Sequence, residues 1–532
     1  MLLVTHIRRS AYKRMNSDAL ISCTRSLSQS LKASSNDVSG FSKTLKNPWL
    51  WQTTPYINGK FLQHSQDHNF DVHNPSTGAV IASCPRQGAA DVHAAAAISA
   101  EAWKSWKATT AKQRAAILNK LFALVEENKE DLARILTLEC GKPLAEARGE
   151  IGYANSFFSL YAEEATRVHG EILQPHVAGR RMMTIKQPVG PAALITPWNF
   201  PSAMITRKMA PALAAGCTVV IKPAELTPLS ALALCALAHE AGVPAGVVNC
   251  LTVGREEVSE VGRALCHSPD LRKLSFTGST AVGKWLYREC SETVKRISLE
   301  LGGNAPYIVF DDADIKVAVQ GLLNSKFRNT GQTCISSNRI FVQDGIYDQF
   351  AAALAEKVRA IRVGDGFDAR NGAGPLINAA GLAKVTAHVN DCISKGATAL
   401  VGGQPIADLN ACGGTFFQPT VLTNVTPTMQ PYKEETFGPV AALFRFKTEE
   451  EVIALANDTP FGLAAYACTS NLSRAFRVSE ALESGMVGVN EGLISADIIP
   501  FGGVKQSGLG REGGAWGIEE YLSLKYVCFG NV

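Results

Sequence analysis

Two kinds of hydrophobic spacing divide the chain. Over 90–139 the apolar positions recur at helical intervals, as in Ala115, Leu118, Leu121, Phe122 and Val125. That spacing predicts Ala-rich helices over 90–107 and 111–139, the second stopped by Gly141. Over 192–300 the pattern changes to short, fully apolar runs. Residues 192–195, 218–221, 247–253, 271–276 and 296–299 read as buried strands. Helices over 229–241, 258–266 and 283–290 fall between them, and Gly242 closes the first. Strand–helix alternation of this kind predicts an open parallel sheet with helices on both faces. Such sheets bind ligands at the carboxyl ends of their strands. The beat returns after residue 300, with strands at 307–310 and 339–342 and a helix over 346–361, so a second α/β domain is expected. Folded chain is expected from about residue 48, where Asn58-Gly59 marks a hairpin. Residues 521–528 read as a terminal strand carrying Lys525. A lone strand needs a neighbour, and another subunit could supply it.

Composition narrows the class. A chain of 532 residues, 46% hydrophobic and 19% charged, is an ordinary globular protein of two or three domains. Its net charge of +4 leaves no nucleic-acid footprint. The positive charge is concentrated at the start. Arg8, Arg9, Lys13, Arg14, Arg25 and Lys32 face one acid, Asp18, in a Ser-rich stretch. That composition fits a mitochondrial transit peptide, against the plainer reading of a basic tail. The 13 cysteines form no C-x-x-C pair, which speaks against a zinc ribbon or a redox dithiol and for a reducing compartment. No apolar stretch reaches the length of a membrane span.

The candidate chemistry starts with Cys334, in Arg328-Asn329-Thr330-Gly331-Gln332-Thr333-Cys334, and Glu300, in Leu299-Glu300-Leu301-Gly302-Gly303. A thiol and a carboxylate among small residues suggest covalent thiol chemistry completed by a base. Most cysteines are small buried apolar residues, and most glutamates are surface acids. Three further segments have the look of nucleotide sites, and one of them fails on inspection. Phe276–Lys284 follows a strand and opens a helix, where backbone N–H groups attract phosphate. It nearly matches a P-loop, but Trp285 stands where Ser or Thr would hold magnesium. Gly508-Leu509-Gly510-Arg511-Glu512-Gly513 has the letters of a dinucleotide fingerprint with only 19 residues after it, so it reads as a Gly-rich surface loop. Lys222-Pro223-Ala224-Glu225 ends a strand, where Glu225 could accept from ribose hydroxyls.

Together with Thr196-Pro197-Trp198-Asn199-Phe200-Pro201 and Glu434-Glu435-Thr436-Phe437-Gly438-Pro439, these motifs resemble the aldehyde dehydrogenase superfamily over nearly all of 50–530. The resemblance implies two open α/β domains, cofactor-binding and catalytic, plus a small β oligomerisation element. It assigns 48–169 and 189–300 to the NAD-binding domain, 301–510 to the catalytic domain, and 170–188 with 511–532 to the oligomerisation element. Residues 1–47 are left as transit peptide and flexible leader. It also implies roles, with Cys334 as nucleophile, Glu300 as general base and Asn199 as oxyanion donor. Lys222 and Glu225 would contact the adenosine ribose of NAD, and Trp198, Pro223 and Ala224 would also bind the cofactor. Gly278, Ser279, Thr280, Ala281, Val282 and Gly283 would take the pyrophosphate, and Glu435 with Phe437 the nicotinamide ribose. No metal is implied.

The cofactor and substrate expectations follow. Glu225 would repel a 2′-phosphate, favouring NAD over NADP. Arg207, Arg328 and Ser495 match the carboxylate-binding residues of succinate-semialdehyde-oxidising members, and guanidinium is the best partner for a carboxylate. Structural ion pairs are the competing reading of both arginines. Glutarate semialdehyde, or broader aldehydes, is the nearest alternative substrate, and a non-catalytic protein on the same scaffold is the distant one. A homotetramer in the mitochondrial matrix is expected by analogy. Some members carry a second cysteine two residues after the nucleophile. Here Ser336 stands there, so that disulfide switch is expected to be absent.

Overall fold

The structure is a computed structural model that describes residues 37–62 and 68–531. The basic leader over 1–33 lies outside the described residues. Two mixed sheets and a small third one form the framework. In the eight-stranded sheet the order is Lys60–Phe61, Tyr56–Ile57, Val248–Cys250, Val219–Lys222, Ala192–Ile195, Lys273–Thr277, Arg296–Glu300 and Gly508–Leu509. The five strands from Val248–Cys250 to Arg296–Glu300 run parallel, flanked by antiparallel edges.

Pleating explains the fully apolar runs. Ala192 and Leu194 join the core on one face, while Ala193 joins the core on the other. The seven-stranded sheet repeats this, with Tyr307 and Val309 on one face and Ile308 on the other. Its order is Thr398–Val401, Thr420–Thr423, Val440–Phe446, Ser337–Gln343, Ala305–Val309, Ala464–Cys468 and Met486–Val489, with only the first pair antiparallel.

The chain order places a crevice. It steps from Ala192–Ile195 through Val219–Lys222 to Val248–Cys250, then returns to the other side of Ala192–Ile195 with Lys273–Thr277. At such a reversal the loops leaving the two adjacent strands part, opening a crevice beyond their carboxyl ends. Here those loops carry Pro197, Trp198 and Asn199, and Gly278 and Ser279.

Several expectations need correction. Folding starts before residue 48, because the Lys46 and Asn47 amides donate to the Asp131 carboxylate at 3.0 and 2.7 Å and Phe41 packs on Trp51. The helix expected over 111–139 is two, Ala111–Glu127 and Lys129–Cys140, broken at Asn128. Asn128 leaves helical geometry at φ −103°, ψ 12°, and its amide donates to the Leu124 carbonyl. Phe122 lies outside the buried stripe of Leu118, Leu121 and Val125 and is exposed. Leu522–Gly530 finds its partner within the chain, pairing along its whole length with Arg180–Pro188. Gly508-Leu509 is no surface loop. It is an edge strand, with Gly508 opposite Glu300. The hairpin at Asn58-Gly59 forms as read, both residues at positive φ.

Candidate active site

One cavity of about 470 Å³ opens beyond the crevice. It gathers Trp198, Asn199, Arg207, Gly278, Ser279, Arg328, Cys334, Glu435, Phe437 and Ser495 from positions far apart in sequence. Two helices supply stripes of its wall. Leu144–Glu164 contributes Glu146, Gly149, Glu150 and Tyr153, and Ala203–Ala215 contributes Met204 and Arg207. The spacings are those of one helix face.

Cys334 is held by a strained loop. Asn329 and Thr330 both adopt left-handed backbone, at φ 51° and 55°, followed by Gly331 at φ 73°. A β-branched residue there is a true outlier, and such strain collects at functional sites. The surroundings impose it. Asn329 N–H donates to Glu146 at 2.8 Å, and its side-chain amide donates to the Asn199 carbonyl at 3.0 Å. Thr330 exchanges hydrogen bonds with Gly374, both at 3.1 Å. A Cβ on Gly331 would stand 2.1 Å from the Gly438 carbonyl oxygen, so this position admits only glycine. Asn199 donates one amide hydrogen to the Gln332 carbonyl at 3.0 Å. It thereby sits against the Cys334 loop.

Burial pushes the Cys334 thiol up to about 12, with Arg207 opposing and Glu435 and Glu300 adding to the rise. Glu300 is buried, and one of its oxygens has no hydrogen-bond partner among the described residues. Burial raises its pKa well above the usual carboxylate range, and Glu512 adds to this, while Arg207, Lys208 and Arg511 oppose. Glu512 goes the other way. Burial works against its charge, yet Lys208 and Arg207 hold it ionised. Two neighbouring carboxylates therefore part in pKa, the lower one keeping its charge and the higher one its proton. Glu300 does not itself line the cavity. Its neighbours Leu301 and Gly302 do, and a Cβ on Gly502 would meet the Glu300 Oε1 at 2.9 Å.

Not every expected cofactor residue reaches this cavity. Lys222, which ends the neighbouring strand, and Pro223, Ala224 and Glu225 after it lie outside the cavity lining, as do Thr280, Ala281, Val282 and Gly283. Glu225 is paired with Arg255 at 3.5 Å. Ser279 caps helix Thr280–Cys290, and Gly283 lets that helix approach the sheet, since a Cβ there would clash with Leu301 at 2.3 Å. Trp198 and Phe437 meet edge to face at 5.5 Å. Glu435 is pushed up to about 7 by burial, and its Oε1 is buried without a partner. An orphaned carboxylate oxygen facing a crevice of this topology fits the hydroxyls of a nucleotide ribose.

Arg207 carries an ion pair after all, its Nε 2.5 Å from Glu512. The pairing is partial. The contact lies off the hydrogen-bond line, and Nη1 is buried with no partner. Arg328 lies over the Phe200 ring at 5.4 Å and makes no ion pair among the described residues. Tyr153, Glu146, Glu150 and Glu512 were missed by sequence reasoning. The first three were findable from the 146, 149, 150, 153 spacing of one helix. Glu512 had no such signal, being hidden in the glycine-rich run.

The aldehyde dehydrogenase family model matches residues 61–527. The chain is 53% identical over 484 residues to glutarate-semialdehyde dehydrogenase of Pseudomonas putida, covering 91% of this chain and 99% of that one. It is 52% identical over 506 residues to mitochondrial succinate-semialdehyde dehydrogenase of Arabidopsis thaliana, covering 95% and 94%. A crystal structure described as an Escherichia coli NADP dependent enzyme superposes with a TM-score of 0.89 at 53% identity, covering 91% of this chain and 100% of that one.

Proposed function

The chain belongs to the aldehyde dehydrogenase family, and from that premise we propose that it oxidises succinate semialdehyde to succinate with NAD. One observation carries the substrate choice. Arg207, Arg328 and Ser495 line the same cavity as Cys334, and the buried Nη1 of Arg207 awaits an acceptor. A carboxylate at the far end of a short aldehyde supplies it.

The Cys334 thiol loses its proton to solvent and the sulfur adds to the aldehyde carbon, so that a C–S bond forms as the carbonyl π bond opens to an alkoxide. The Asn199 amide holds the developing alkoxide, a device often worth ~3–4 kcal/mol. Glu435 and Phe437 would hold the nicotinamide ribose of NAD, which when bound would supply the hydride acceptor, and the Cys334 adduct would give up its hydride as its C–O double bond re-forms. Glu300, once deprotonated, takes a proton from water as that water attacks the thioester carbonyl. The C–S bond breaks, the carboxylate leaves, and the Cys334 sulfur regains a proton. Without such a carboxylate the acyl group would pass more readily to another thiol.

NAD is favoured because Glu225 would oppose a 2′-phosphate. The E. coli neighbour is described as NADP dependent, so both cofactors belong in the test. Glutarate semialdehyde is the second reading, supported by the P. putida relative. The sheet of Ile172–Leu173, Arg180–Pro188 and Leu522–Gly530 would mediate assembly into a homotetramer, since Ile172 is 87% and Leu524 68% exposed on it. A matrix location rests on the composition of the leader and on the mitochondrial relative.

The test is steady-state absorbance of the reduced cofactor with succinate semialdehyde, glutarate semialdehyde and a neutral aldehyde, each with NAD and NADP. The Cys334→Ala protein serves as control. Highest kcat/KM for succinate semialdehyde with NAD is expected. A preference for the neutral aldehyde would remove the carboxylate seat, and wild type as silent as the control would remove the enzyme.

A further inference from the structure

The cavity wall holds a second orphaned donor beside Arg207. The Tyr153 phenol oxygen is buried and has no hydrogen-bond partner among the described residues. Its residue lines the cavity one helical turn beyond Gly149 and Glu150. The ring is fixed by an edge-to-face contact with Phe157 at 5.0 Å. Tyr153 and Arg207 line the same cavity; burial raises the phenol's pKa and the guanidinium draws it back. Both are donors in these states. The phenol oxygen can accept from the guanidinium, but guanidinium has no acceptor to offer the phenol hydrogen.

Two buried donors side by side, facing one cavity, leave a desolvation cost that an acceptor with two oxygens would recover. Glu512 faces the cations instead, one oxygen on Lys208 and the other on the Nε edge of Arg207, and does not bond the phenol. That grip also fixes which guanidinium edge remains open. Phe501 lies against the guanidinium at 4.1 Å and limits its swing. The acids on the same wall do not compete for the seat. Glu150 is tied to Lys142 at 2.6 Å, and Glu146 accepts from the Asn329 amide at 2.8 Å.

We propose that Tyr153 is a specificity-determining residue, whose hydroxyl donates to one oxygen of the substrate's distal carboxylate while Arg207 Nη1 donates to the other. This rests on the reading of the cavity as a seat for an acid-bearing aldehyde, and adds a neutral donor to its cationic ones. The neutral donor selects by geometry, where the arginines alone would accept any nearby anion.

Tyr153→Phe keeps the ring and removes only the hydroxyl. It is expected to lower kcat/KM for succinate semialdehyde by about 10- to 100-fold, mostly through KM, and to leave a neutral aldehyde within about twofold. Succinate, as a competitive inhibitor against the aldehyde, should weaken in parallel, and the thermal midpoint should stay near wild type. Unchanged kinetics with succinate semialdehyde, or an equal loss on the neutral aldehyde, would overturn the assignment. If wild type shows no preference for acid-bearing aldehydes, the underlying reading fails first. If wild type shows it and Tyr153→Phe keeps it, only this inference fails.

Discussion

Two buried ion clusters flank the cavity, and they differ in completeness. In the first, Lys142 Nζ meets Glu150 at 2.6 Å and donates to the Asn199 carbonyl at 2.7 Å. The other Glu150 oxygen accepts from the Ser202 and Ala203 amides at 3.0 and 3.3 Å. Every charged atom there is engaged. In the second, Arg207, Lys208 and Glu512 meet, but Arg207 Nε and Nη1 and one Glu512 oxygen lack a hydrogen-bonded partner. A closed cluster holds shape. An open one keeps capacity for a ligand. The closed cluster pins the backbone at Asn199 and the start of the helix that carries Arg207, so it aims the groups that the open cluster leaves free.

The sharpest way to break this contrast is to cut each cluster. Lys142→Met strands a buried carboxylate and should cost ~3–5 kcal/mol of stability. Thermal or denaturant unfolding would register it, and surviving activity should fall alike on acid-bearing and neutral aldehydes. Arg207→Leu leaves Glu512 paired with Lys208. Its expected mark is a loss of about 100-fold in kcat/KM for succinate semialdehyde, a smaller loss with the neutral aldehyde, because Arg207 also holds down the pKa of Cys334 and Glu300, and a smaller change in unfolding. Equal destabilisation by the two substitutions, with no split between substrates, would erase the distinction.

A smaller effect lies in pH. Glu300 keeps its proton above the usual carboxylate range, through burial and then through the charge of Glu512. A base must first lose its proton, so kcat should rise about tenfold per pH unit below that pKa and level above it. Glu512→Gln removes the neighbouring anion, so the rising limb should move to lower pH. A limb that stays put, measured as kcat against pH, would separate Glu512 from the base.

Much of this was legible in the sequence, for physical reasons. Buried parallel strands read as continuous apolar runs, so the strand at 192–195 and its neighbours stood out. Gly141 and Gly242 end helices at positive φ as their type suggested. The family motifs led to Cys334, Asn199 and Arg207, which the fold gathers at one cavity. What was hidden depended on long-range pairing. Asn128 breaks a helix through a side-chain bond to the Leu124 carbonyl and a contact from Asn47. The 508–513 run resembled a loop because its strand exists only by pairing with Leu299 and Glu300. Glu512 gains its meaning from two cations 304 and 305 positions earlier.

In the proposed reaction Cys334 carries the acyl group and Glu300 releases it. Single-turnover mixing of Glu300→Gln protein with NAD and succinate semialdehyde, followed by intact and peptide mass measurement, tests it directly. A burst of about one reduced cofactor per site, stalled turnover, and a succinyl adduct on the peptide containing Cys334 are expected. Normal turnover, or a burst with no adduct at that cysteine, would contradict it.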